Sequence, residues 1–147
     1  GSNTYVLTSD GTDIAWAAAA GGPDQANQTA IEGETNQDTY VPPDLIKHSP
    51  GVAKAWVAWE QTGANSMYVS YNMTSVADGG AAGDTDHLWA TDFSSINYTI
   101  VGMLEVDYFM GLRGGTRAAT GCTTVNKSHS GDATDSEECM LVAFGDQ

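Results

Sequence analysis

Residues 53–74 read AKAWVAWEQTGANSMYVSYNMT, and their pattern decides the fold. In the first run Ala53, Ala55, Val57 and Trp59 fall on one side, with Lys54, Trp56 and Ala58 on the other. In the second run Met67, Val69, Tyr71 and Met73 alternate with Tyr68, Ser70 and Asn72. A period of two filled by aromatic and β-branched residues marks strands, because successive side chains leave opposite faces. The intervening QTGANS is rich in turn formers. The stretch therefore predicts an antiparallel hairpin closed by a loop over residues 60–66, longer than the two-residue class. Trp59 shares its side with Val57 and Ala55 and is expected in the core. Trp56 is expected to face a second sheet or a subunit boundary.

Working outward, residues 97–110, NYTIVGMLEVDYFM, give the strongest strand signal of the chain. Unbroken, this strand would put Tyr98, Ile100, Gly102, Leu104, Val106 and Tyr108 on one face, with Gly102 marking a bulge or a close approach. Residues 87–91 alternate, with Leu88 and Ala90 opposite His87, Trp89 and Thr91. Residues 116–126 and CMLVAF at 139–144 read as further strands, and residues 5–16 as a hairpin turning at Asp10-Gly11. Seven or eight short strands with regular turn signals predict an all-β chain, a small antiparallel β-sandwich or barrel-like domain. Residues 17–38 lack alternation. They read as a linker or arm, with a short helix around residues 24–31 as the alternative. Residues 40–51, YVPPDLIKHSPG, begin extended at Pro42-Pro43 and leave room for one helical turn at 44–47. The expected organisation is an N-terminal hairpin and arm, 1–38, followed by a β-domain, 39–147. A lone hairpin is marginal in water, so this one must pack on the domain or on a neighbouring chain.

The chain carries 19 acidic against 5 basic residues, a net charge of −14 over 147 residues. Contact with a nucleic-acid backbone needs clustered Lys or Arg and is not expected. Flat contact with anionic lipid is disfavoured for the same reason. No apolar run approaches the roughly 20 residues that span a bilayer, so membrane insertion is not expected. The initial Gly-Ser and the lack of Met read as a remnant or as the start of a processed fragment, and whether a longer chain precedes it is left open.

Catalytic patterns are missing: there is no GxSxG, no Gly-rich phosphate loop and no HExxH. His48, His87 and His129 lie far apart in sequence, and His48 is expected to be packed and hydrogen-bonded. Asp78, Asp84 and Asp86 are spaced a little like a calcium loop but lack the closing Glu of that motif, which favours a solvated turn. Glu105 and Asp107 would leave a strand on one side, as paired carboxylates do in glycosidases; the outward polar face of a half-buried strand is the better account of them. No enzymatic activity and no cofactor are expected. Cys122 and Cys139 sit on strands expected to be hairpin neighbours, which leaves open a cross-strand disulfide or two buried thiols. Arg113 stands between glycines in GLRGG, 111–115, a flexible position for one of the few cations.

HSPGVAKAWVAWEQTG, SYNMTSVADGGAAGD, INYTIVG and the terminal VAFGDQ together resemble the C-terminal domain of bacteriophage tail-fibre proteins. The opening YVLTSDGTDIAW is similar to a segment found upstream of such domains. Ser49, inserted between His48 and Pro50, and the Gly-rich loop after Tyr108 depart from the family pattern. The resemblance implies a virion protein, assembled in the host cytoplasm and exposed on the particle, that forms a homotrimer, joins other virion proteins and binds a host surface glycan or protein. Trp89, Tyr108 and Arg113, near loops, are the expected receptor-contacting residues, since aromatic faces beside polar groups suit sugars. The alternative within the same setting is a capsid decoration, cement or head-fibre protein that stabilises the phage head. Such a protein would bind empty heads, whereas a fibre tip would bind host cells.

Overall fold

The computed structural model describes residues 5–9, 11, 14–18, 24–34, 39–105 and 108–147. Tyr5–Ser9 (β1) and Ile14–Ala18 (β2) pair antiparallel, with Tyr5 opposite Ala18 and Ser9 opposite Ile14. The expected turn residue Asp10 lies outside the described residues, as do 19–23 and 35–38 of the expected arm. Within that arm a helix forms at Gln28–Glu32 (α1), not a plain linker. Asn27 caps it: the side-chain Oδ1 accepts the Ala30 N–H at 2.9 Å, satisfying one of the amides that a helix start leaves without a partner. Ala26 and Ile31 are buried. Tyr40 accepts from Ala26 N–H through its carbonyl, and its own N–H donates to Asp24 O. This bridge spans the boundary expected between 38 and 39. Pro43–His48 form a 3-10 helix, longer than the single turn expected at 44–47.

The central hairpin is present. Ala55–Trp59 (β3) pairs antiparallel with Met67–Tyr71 (β4), with a bulge between Ala58 and Trp59, and Glu60 N–H donates to Ser66 O at 3.0 Å to close the loop. The chain then bends at Asn72, whose φ is 55°, into Met73–Asp78 (β5) of a second sheet. Asp84–Trp89 (β6), Thr99–Leu104 (β7), Phe109–Leu112 (β8), Gly121–Lys127 (β9) and Cys139–Phe144 (β10) complete two four-stranded antiparallel sheets, ordered β4-β3-β10-β7 and β5-β6-β9-β8. Their inward residues share one core, with Ala55, Val57, Trp59, Cys139, Leu141 and Ala143 from the first sheet and Val76, Trp89 and Cys122 from the second. This is the all-β, sandwich-like arrangement that the alternating runs predict.

Two strand assignments change. The run 97–110 is not one strand: β7 lies in the first sheet and β8 in the second. Crossing between layers lets Ile100 and Leu104 pack on the core from one side and Met110 and Leu112 from the other, which one straight strand could not do. Val106 and Asp107 lie outside the described residues. Gly102 marks a close approach, since a Cβ there would run into the Met110 side chain. The expected strand 116–126 begins its ladder only at Gly121. Residues before it form a turn, with Thr116 Oγ1 donating to Arg113 O at 2.8 Å.

Inside, the core has an aromatic end and a polar end. Trp89 meets Phe93 and Tyr98 edge-on at 5.6 and 5.8 Å, and Phe93 stacks on Tyr98 at 4.5 Å. The Tyr98 hydroxyl donates to Gly121 O at 2.7 Å, which gives the buried phenol the partner it needs. Towards the other end lie buried His87, Thr85, Thr124, Asn126 and Gln61. Lys54, just before β3 and read on the same side as Trp56, is only 2% exposed. Its ammonium donates to Lys47 O and to Ser49 O at the end of the 3-10 helix, where carbonyls lack intrahelical partners and a cation is favoured.

Candidate functional site

Four loops meet at the polar end of the sandwich. The loop after β3 is pinned to the one before β10: Gln61 N–H donates to Ser136 O at 3.1 Å, and Ser136 N–H donates to Gln61 Oε1 at 3.2 Å. The β5–β6 turn joins them, because Gly83 N–H donates to Asp135 Oδ1 at 2.9 Å. Gly83 is fixed as glycine by a φ of 75° and by a close approach to the Asn126 carbonyl. The result is two polar clefts that share Asp135. One, of about 210 Å³, is lined by Gln61, Asn65, Asp78, Asp84 and Asp135 among others. The other, of about 320 Å³, is lined by Thr62, Glu105, Tyr108, Asp135, Ser136 and Glu137.

The first cleft holds two buried amides with spare bonding capacity. Gln61 Nε2 and Asn65 Oδ1 have no hydrogen-bond partner among the described residues, although buried polar atoms nearly always find one. One is a donor and the other an acceptor, and carboxylate acceptors stand beside them. Hydroxyl groups of a polyol both donate and accept, so such a wall suits sugar hydroxyls. Tyr108 is the aromatic residue among those lining the second cleft.

The two sheets present different outer faces. On the first sheet the register places Tyr71, Trp56, Val142 and Val101 in one cross-strand row, and Val69, Ala58, Met140 and Met103 in the next. All eight are apolar or aromatic and none is charged. Val69, Tyr71, Val101, Met103 and Met140 are exposed, Met103 to 65%. Strands about 4.8 Å apart, carrying about five residues each at about 3.4 Å, make this a patch of roughly 300 Å². That is the size of the largest apolar patches monomers show, which often serve contacts. The second sheet instead carries Asp86, accepting from Thr123 Oγ1 at 2.5 Å, and Asp84, accepting from Arg113 Nη1 at 2.6 Å.

The expected receptor residues do not gather. Trp89 is 2% exposed and packs in the aromatic core, so it is a packing residue: it alternates with Leu88 and points inward with His87. Arg113 is not a free loop cation, because its guanidinium is held on Asp84. Of the three, only Tyr108 lines either of the two loop-end clefts. Cys122 and Cys139 are free, buried thiols. They lie on β9 and β10, which belong to opposite sheets, so the expected hairpin adjacency does not form and no disulfide joins them. Burial pushes both thiols up to about 11, which leaves them protonated and unreactive at neutral pH. Sequence reasoning missed Gln61 and Asn65, which lie within the QTGANS turn; nothing in a turn-forming stretch marks which amides will be buried.

No family model, curated protein or solved structure matches the chain.

Proposed function

We propose that this chain is an assembling attachment domain of a phage virion appendage of the tail-fibre type. In this reading copies associate through the outer face of the first sheet, and the loop end meets a glycan or protein of the host surface. The observation that carries it is the eight-residue apolar face of β4, β3, β10 and β7 on a chain of net charge −14. Strongly anionic copies repel one another, and an uncharged sheet face is where they can meet. A patch of roughly 300 Å² is less than the roughly 800 Å² per partner of a standard interface, so flanking residues such as exposed Met67 and Tyr68 join it. The N-terminal hairpin, too small to be stable alone, is a second place where copies can associate. The trimeric count and the virion setting come from the sequence resemblance. The spare amide atoms Gln61 Nε2 and Asn65 Oδ1, the carboxylates and Tyr108 at the loop end support sugar contact and favour attachment over head decoration.

Light scattering of the chain beside Met140→Glu tests the reading. The chain should weigh as a trimer and the variant as a monomer, with unchanged circular dichroism. A wild-type chain that stays monomeric at high concentration overturns it.

A further inference from the structure

We propose that Glu32, His48 and Asp146 hold one divalent transition-metal ion of the zinc class, fastening the C-terminal tail and α1 to the end of the 3-10 helix. This proposal is independent of the attachment reading. The three side chains come from separate parts of the chain, yet their ligand atoms lie within 4.8 Å of one another. They are the one such set of His, Cys, Asp and Glu among the described residues; the carboxylates of the loop-end clefts are not gathered in this way.

His48 supplies the second observation. Its side chain is 9% exposed, and Nδ1 faces Glu32 Oε1 at 3.9 Å. That is beyond hydrogen-bond length, and Nδ1 has no hydrogen-bond partner among the described residues. A buried imidazole nitrogen aimed at two carboxylates without touching them is the arrangement a shared cation completes. Tetrahedral bonds of about 2.0–2.1 Å place ligand atoms about 3.3 Å apart, so a small inward movement closes the set. The surrounding cavity, lined by Glu32, His48, Pro50, Gly145 and Asp146, is about 220 Å³ and has room for water at the open fourth position. One imidazole with two carboxylates favours zinc-like ions over calcium or magnesium, which prefer oxygen alone.

The tail is placed in advance. Ser94 N–H donates to Asp146 O at 2.8 Å, and a Cβ at Gly145 would stand 2.7 Å from the Tyr98 Cβ, so the backbone lies flat on the aromatic block. Lys54 is the competing cation. Burial lowers its pKa while Asp146 and Glu32 raise it, but its ammonium donates to backbone carbonyls and makes no hydrogen bond to either carboxylate.

The test is cobalt titration of chelator-treated protein, read by visible absorption and by competition with zinc. The wild type should take one ion per chain. His48→Ala and Asp146→Asn should each weaken binding by more than about 100-fold, since removing even an outer partner of a metal ligand costs 10–100-fold. Glu137→Gln, which removes an exposed acid elsewhere, should leave binding unchanged. If His48→Ala does not fold, Asp146→Asn decides alone. No cobalt spectrum with no zinc binding, or equal binding by wild type and Asp146→Asn, overturns the site. So does equal weakening in Glu137→Gln, which would mean diffuse attraction to an acidic surface.

Discussion

Asn72 and Thr91 hold each other by two hydrogen bonds: Asn72 Nδ2 donates to Thr91 O at 3.1 Å, and Thr91 N–H donates to Asn72 Oδ1 at 2.6 Å. The same Nδ2 donates to Lys54 O at 2.9 Å. One amide thus ties the start of the first sheet to the end of β6 at the point where the chain changes sheets. Its φ of 55° is a conformation that Asn tolerates and Ala resists. Asn72→Gly keeps the bend and loses the bonds, whereas Asn72→Ala loses both. Urea unfolding should show both variants destabilised, with Ala lower than Gly by about 1 kcal/mol. Equal stability of the two would mean that the bend is not strained for Ala.

Trp56 and Trp59 should respond oppositely. Trp59 is fully buried and meets His87 edge-on at 4.8 Å, so Trp59→Ala should cost about 3–5 kcal/mol of monomer stability. Trp56 stands on the outer face between Tyr71 and Val142. Trp56→Ala should leave the monomer within about 1 kcal/mol and weaken association. Chemical denaturation and sedimentation of both variants check this. Equal loss of monomer stability, with assembly intact, would contradict it.

The alternation of residues 55–59 and 67–71 was enough to give a hairpin and to put Trp59 inside, because a strand with one buried face must show period two. The same rule applied to residues 87–89 sends Trp89 inward beside His87. Its nearness to loops, which suggested receptor contact, carried no such constraint. Sheet membership was not legible. No proline or turn pair breaks residues 97–110, and only the third dimension shows that Leu104 and Met110 reach the core from opposite layers. The burial of Lys54 was not legible either, because a position just before β3 on the Trp56 side does not say that its long stem reaches back to the carbonyls of Lys47 and Ser49. The candidate clefts depend on loops meeting across residues 61, 83 and 135, a separation that no local pattern encodes.

His87 makes stability depend on pH. Its Nε2 lies 2.9 Å from Thr124 Oγ1, and burial lowers its pKa from 6.5 to about 3. A histidine whose folded pKa lies below its unfolded value is neutral in the fold while the unfolded chain takes up the proton first. Between about pH 6.5 and pH 3 the unfolded state therefore binds one more proton, and stability falls as pH falls, by about 1.4 kcal/mol per unit. Denaturation at stepped pH should show this slope in the wild type and a flatter one in His87→Gln. The exposed carboxylates contribute equally to both proteins, so the difference isolates the imidazole. Parallel slopes would mean that His87 is protonated within the fold.

Arg113 and Asp84 form a half-exposed pair. The Asp84 side chain is 3% exposed and that of Arg113 46%, so water screens one partner and not the other. Arg113→Ala leaves a buried carboxylate without its charged donor, which should cost about 1–3 kcal/mol, below the cost of breaking a fully buried pair. Asp84→Asn in the same chain removes the stranded charge, and the double variant should recover about 1 kcal/mol relative to the sum of the single changes. Lys127→Ala, at the end of β9, is the control and should lie within about 0.5 kcal/mol of the wild type. Held well below its melting temperature, folded Arg113→Ala should bind host cells as the wild type does, because the guanidinium is already engaged within the domain. Lost binding with unchanged stability would instead return Arg113 to the receptor surface and detach it from Asp84.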